Sequence, residues 1–281
     1  NSSNLLDMKK LIIAFLFLSF STQGFPQFFK DSKTVTKHEG YVTFYYDEST
    51  DKIFLQIENL QQEFLYVNSL SEGVGSNDIG LDRGQLGNTR IVKFMKAGNK
   101  LLLIQPNQDY RAITDNLEEK KSVEQAFAKS VIHGFVIKET NQGKYLVDAT
   151  SFFMRDAHGV QGRLSARKQG SYSLDKSRSA ISLERTKAFP KNVEFDVMLT
   201  FKGSPKSFNI RSVTPTASLI TVNQHHSFIE LPDGSYKPRK FDPRSGSNAM
   251  SYLDYATPVN ESITKRFIYR HRLEKKNPEA S

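Results

Sequence analysis

The residues best suited to chemistry are six histidines, at His38, His133, His158, His225, His226 and His271. A zincin-type zinc centre needs two imidazoles one helical turn apart with a glutamate between them, the H-E-x-x-H pattern, so that both rings face one ion. No pair here has that spacing. His225 and His226 are adjacent, and neighbours on a strand point to opposite faces, so the pair reads as one core and one surface imidazole. Glu194 and Asp196 share one face of a strand, yet two carboxylates on an exposed face carry no acid–base signal by themselves. Asn77, Asp78 and Asp82 offer oxygens to calcium without the alternation of an EF-hand loop, and read as turn residues. The segment Gly80–Gly87 lacks the Lys-Ser/Thr of a phosphate-binding loop. Ser204 and Ser247 do not sit in a Gly-x-Ser-x-Gly elbow. No residue is therefore assigned a catalytic, metal-ligating or cofactor-binding role.

The elements that would have to position these groups are mostly strands. Tyr41–Tyr46 and Lys52–Ile57 flank a polar turn as a hairpin, and Phe64–Val67 continues the meander. Five glycines between Gly73 and Gly87 mark a shaped loop. Thr89–Phe94 and Lys100–Ile104 form a second hairpin around Gly98. Val123, Phe127 and Val131 recur at spacing four, which predicts a helix over 118–131. Strands resume at 134–137 and 144–147, and a short helix within 148–168 is weakened by Gly159 and Gly162. The alternation of Val193, Phe195, Val197, Leu199 and Phe201 predicts a strand whose one face is core. Two further strands are expected at 218–222 and 227–231. An alternating strand from Lys265 places Phe267, Tyr269, His271 and Leu273 on one face. The fold class that results is mainly β (α+β): antiparallel hairpins and a meander forming a β-sandwich or curved sheet, with one or two helices.

Composition narrows the function. With 21 Phe, 11 Tyr and no Trp or Cys, the chain suits pleated half-buried surfaces and has no disulfide, thiolate ligand or cysteine nucleophile. The net charge of +9 is concentrated between Arg155 and Lys191, where nine Lys/Arg accompany three Asp/Glu. These are scattered among Ser and Gly without a recognition helix, so the reading is a solvated basic face and no nucleic-acid partner.

Met8-Lys9-Lys10 followed by the apolar run Leu11–Leu18 and small residues near Gly24 has the form of a secretory signal peptide. The run is too short to span a bilayer, so the chain is expected to be exported, periplasmic or extracellular, with no stable membrane span. Residues 1–24 then comprise upstream sequence and signal, and 25–274 the β-rich region. A division near 106–122 into two sub-regions is one reading of that region. Residues 275–281 are the polar start of a linker.

Several passages, in order, carry a likeness to a known family: Gly75-Ser-Asn-Asp-Ile-Gly-Leu-Asp-Arg-Gly-Gln-Leu-Gly87, Gln105-Pro-Asn-Gln-Asp-Tyr-Arg-Ala112, Arg155-Asp-Ala-His-Gly159, Gln224-His-His-Ser-Phe228 and Phe241-Asp-Pro-Arg-Ser-Gly246. Together they resemble the non-catalytic N-terminal region, made of domains of unknown function, of secreted bacterial zinc-dependent metallopeptidases of the metzincin type. The resemblance implies that zinc belongs to a C-terminal catalytic domain that this sequence does not contain, and that the domain is the partner of this region. It also implies that this chain alone is not an enzyme and holds no cofactor. The alternative is a stand-alone exported module binding a peptide or an envelope glycan.

Overall fold

Alternation of apolar and polar residues builds one large sheet, because a period of two puts every second side chain on the buried face. The computed structural model describes residues 25, 27–30, 34–271, 273 and 277. The expected signal peptide, in residues 1–24, and most of the expected linker lie outside the described residues.

The chain runs β1 (Val35–His38), β2 (Thr43–Asp47), β3 (Lys52–Ile57), β4 (Phe64–Glu72), β5 (Leu86–Ala97), β6 (Lys100–Gln105), β7 (Tyr110–Arg111), α1 (Leu117–Ala126), β8 (Ser130–Asn141) and β9 (Lys144–Asp148). It continues through α2 (Thr150–Phe153), α3 (Val160–Ala166), β10 (Gly170–Ala188), β11 (Asn192–Pro205), α4 (Phe208–Val213), β12 (Leu219–Glu230), β13 (Ala249–Asp254) and β14 (Thr264–Ile268). Eleven strands form an antiparallel sheet in the order β1-β2-β3-β9-β8-β6-β5-β4-β12-β11-β10, and β14-β13-β7 form a small second sheet. The mainly β expectation holds, in its curved-sheet form. Among the described residues no helix is long and apolar enough to cross a membrane.

The large sheet curls so that its ends approach. Tyr41 N, just before β2, donates to Phe189 O, just after β10, at 2.7 Å, and the rings of Phe44 and Phe195 meet edge to face at 5.1 Å. Val193, Phe195, Val197, Leu199 and Phe201 are all fully buried, as their alternation predicts. Helix α2 fills the enclosed space. Its backbone is tied to β3, where Ala149 N donates to Ile53 O at 2.9 Å and Ile53 N donates to Thr150 Oγ1 at 3.0 Å. The tie places Phe152 and Phe153 at the centre, with Phe153 stacked on Phe195 at 4.1 Å. Burying two phenylalanines contributes about 1.5–3 kcal/mol each.

Three local expectations change. The helix predicted over 118–131 is capped by Asn116, whose Oδ1 accepts from Glu118 N at 3.0 Å, but it ends at Ala126. Phe127 turns out of it to stack on Tyr110 at 3.8 Å, and Val131 belongs to β8. The strands expected at 218–222 and 227–231 are one continuous β12. The C-terminal strand stops at Ile268, so Tyr269 and Leu273 are exposed outside it.

The glycine-rich segment folds inward as residues 73–85, with Leu86 and Gly87 already in β5. Val74 N donates to Leu81 O at 2.8 Å and Gly84 N to Leu70 O at 2.7 Å. This brings Ile79 and Leu81 into the core. Gly73 has no room for a side chain, since a Cβ there would run into the Leu81 carbonyl and the Arg83 nitrogen.

Candidate functional site

Strand β12 carries the two adjacent histidines, and the pleat sends them to opposite sides of the sheet. In register, His225 lies opposite Asp196 and His226 opposite Phe195 on β11, while on β4 they face Ser69 and Asn68. The result is two separate polar clusters back to back.

On the outer side, His225 is held between two carboxylates. Its Nδ1 lies 3.0 Å from Asp196 Oδ2 and its Nε2 2.8 Å from Glu194 Oε2. Ser71 Oγ donates to the same Asp196 oxygen, Asn223 Nδ2 donates to Asp196 Oδ1 at 3.1 Å, and Ser227 Oγ donates to Glu194. The expectation of an exposed carboxylate face is corrected: Asp196 is fully buried. The cause is a bulge in β10 between Ser182 and Lys187, which folds the buried Thr186 over the strand so that its Oγ1 accepts from Asp196 N at 3.1 Å. Burial alone would lower the His225 pKa, but its hydrogen bonds to Asp196 and Glu194 outweigh it and push the ring up to about 9. Burial opposes ionisation of the two carboxyls, and the contacts to His225 still hold both below their ordinary values. At neutral pH the cluster is an imidazolium between two carboxylates. Both ring nitrogens are occupied, so His225 has no free lone pair for a proton relay or a metal.

On the inner side, His226 is fully buried. Tyr66 Oη lies 2.9 Å from its Nδ1 and Phe153 O 3.2 Å from its Nε2. The same Nε2 lies 2.9 Å from the Gln224 amide nitrogen, and a neutral ring donates at one nitrogen and accepts at the other within this set of partners. Burial pushes its pKa down to about 3, with the Arg155 charge adding to the effect. Gln224, also fully buried, donates through Nε2 to Arg155 O at 2.9 Å and to Phe153 O at 3.4 Å, and its Oε1 accepts from His158 N at 2.8 Å. It thereby satisfies carbonyls left open where α2 ends.

The remaining histidines are dispersed. His38 stacks on Phe44 at 4.4 Å, and His133 packs edge-on against Phe135 and Phe152. His158 reaches Asn68 and Gln85, both at 3.3 Å, and His271 is exposed. Asn77 and Asp78 are exposed in the inward-folded loop, whose backbone closes on Ser76 O. Among the described residues no group of three or more His, Cys, Asp or Glu could hold a metal ion. Tyr66, Arg155 and Gln224 were not singled out as site residues from sequence. The signal for Gln224 and His226 was present, since both alternate with Val222 and Phe228 on the core face.

Two protein-family models match the chain: a domain of unknown function, DUF5118, over residues 23–73, and a second, DUF5117, over residues 84–276. Neither the curated proteins nor the solved structures contain a match. Since the second model spans well over half of the sequence, the chain belongs to the DUF5117 family of domains of unknown function.

Proposed function

We propose that this chain is the non-catalytic N-terminal part of an exported zinc-dependent metallopeptidase, and that it supports or shields a catalytic domain encoded beyond it. The observation that carries this reading is the surface around the small sheet. Ile113, Leu117, Met250, Tyr255, Val259 and Ile263 are all exposed on or beside strands β7, β13 and β14. Large apolar side chains gathered in one region fit a face that another domain covers. In this reading zinc is held by the downstream domain, and the chain alone hydrolyses no peptide.

A second reading, a stand-alone exported binding module, is favoured by a cavity of about 340 Å³ between the large sheet and α1. Tyr110 and Phe127 line it beside Lys93, Arg111 and Lys129, a mixture suited to a peptide or glycan.

The test is the reading frame after Ser281 together with the purified chain. An H-E-x-x-H helix downstream, and no chelator-sensitive peptide hydrolysis by residues 25–281, is the expected result. Stoichiometric zinc with proteolysis by this chain alone overturns the first reading, and a stop codon directly after Ser281 favours the second.

A further inference from the structure

Among the described residues, two arginines at the polar end of the core have no carboxylate partner. Arg90 lies on β5 at the positions that alternate with Val92 and Phe94, both buried, so it points to the core side of the sheet. In register it faces Tyr66 on β4. Arg155 follows α2. Its guanidinium lies 4.1 Å above the Phe152 ring, with Nη2 donating to Tyr66 Oη at 3.4 Å and Nη1 to Ile132 O at 3.5 Å.

Both arginines are half-buried, and neither takes part in any ion pair among the described residues. The carboxylate nearest in sequence, Asp156, is committed elsewhere: its oxygens accept from Gly159 N, Val160 N, Gln161 N and the Gln161 side chain. The imidazoles nearby offer no negative charge, and burial lowers the pKa of His133, His158 and His226. Burial lowers the Arg90 pKa and the charge on Arg155 lowers it further, as expected of two like charges sharing one region. Keeping two partly desolvated arginines beside one tyrosine without a counter-ion is unfavourable. A fold keeps such a defect where something else supplies the charge.

We propose that Arg90 and Arg155 form a binding site for an oxyanion, a carboxylate or a phosphate group brought by a ligand. Planar guanidinium forks match the two oxygens of either group. The Arg90 side chain makes no hydrogen bond within the described residues, so its donors are open to the ligand. The Phe152 ring holds the Arg155 head in place from behind.

Titration calorimetry on the purified chain tests the site with four probes: inorganic phosphate, succinate, a short peptide with a free C-terminal carboxylate, and its C-terminal amide. One saturable site is expected for at least one anion. Phosphate binding more tightly than succinate identifies a phosphate ligand, whereas binding of the free peptide but not its amide identifies a chain terminus. Arg90→Gln and Arg155→Gln should each weaken binding about ten-fold or more, while Lys187→Gln on the exposed part of β10 leaves it unchanged. Arg155 also packs in the core, so Arg90→Gln is the deciding variant. Failure of every anion to saturate, or unchanged affinity in a folded Arg90→Gln chain, overturns the proposal.

Discussion

His225 Nδ1 lies 3.0 Å from Asp196 Oδ2 across the β12–β11 register, and the carboxylate that makes this contact is completely shut away from water. The pair sits beneath the β10 bulge on the outer face of the sheet. Ser71, Asn223 and the second carboxylate, Glu194, bond to it. Such an arrangement is a fastener between β4, β11 and β12.

Asp196→Asn should destabilise the chain by about 1–3 kcal/mol, because it removes one of two counter-charges while leaving the ring enclosed. Urea unfolding followed by circular dichroism checks this. A midpoint equal to that of the parent chain would show that Glu194 alone holds the ring.

Stability should fall at both ends of the pH scale, for different reasons. His225 has a folded pKa of about 9, above its ordinary 6.5, so its contribution is complete below 6.5 and is lost as pH rises through 9. His226 has a folded pKa of about 3, below its ordinary 6.5. The unfolded chain therefore takes up the proton first, and stability is lost as pH falls from 6.5 toward 3. Glu194 and Asp196, held below their ordinary values, add to the acid-side loss. Denaturant midpoints from about pH 3 to about pH 10 measure both arms, and His225→Gln should flatten the alkaline arm and shrink the part of the acid arm that Glu194 and Asp196 owe to the ring.

Phe153→Ala should cost about 3–5 kcal/mol, since the ring is stacked on Phe195 at the centre of the enclosed space and α2 is fixed by its ties to β3. Thermal unfolding reads the loss. A cost below about 1 kcal/mol would mean that the surroundings collapse into the gap.

Gly73→Ala should destabilise by about 1–3 kcal/mol through overlap with the Leu81 carbonyl and the Arg83 nitrogen, both backbone atoms that cannot swing aside. Gly75→Ala, with open space around it but a φ of +87°, should cost about 1–2 kcal/mol through backbone strain alone. Comparing the two separates packing from conformation in the same loop.

The hairpins β2–β3, β5–β6 and β8–β9 were readable because alternation and turn residues act locally, and the buried face of β11 followed from its five apolar positions. The helix boundary at Ala126 was not, because the stacking of Phe127 on Tyr110 that ends it is a contact with another element. The polar run Asn223–His226 looked like a break between two strands. It is continuous strand because its polar side chains are satisfied by β11, α2 and β4, partners distant in sequence. The covering of Asp196 was illegible for the same reason: the bulge that makes it is defined by the pairing of β10 with β11. Arg90 reaches Tyr66 through the β4–β5 register and Arg155 from the loop after α2, so their meeting depends on how α2 is seated against the sheet.

Strand β4 belongs to the DUF5118 segment, yet it is inserted between β5 and β12, both from the DUF5117 segment, while β3 pairs with β9 at another place in the same sheet. The two segments are therefore woven together like fingers of clasped hands. Producing either one without its companion would expose raw strand borders with unpaired amides, inviting self-association. The full weave can close only after β12 has been synthesised, so the nascent chain must wait for its last long strand before the centre of the sheet is complete.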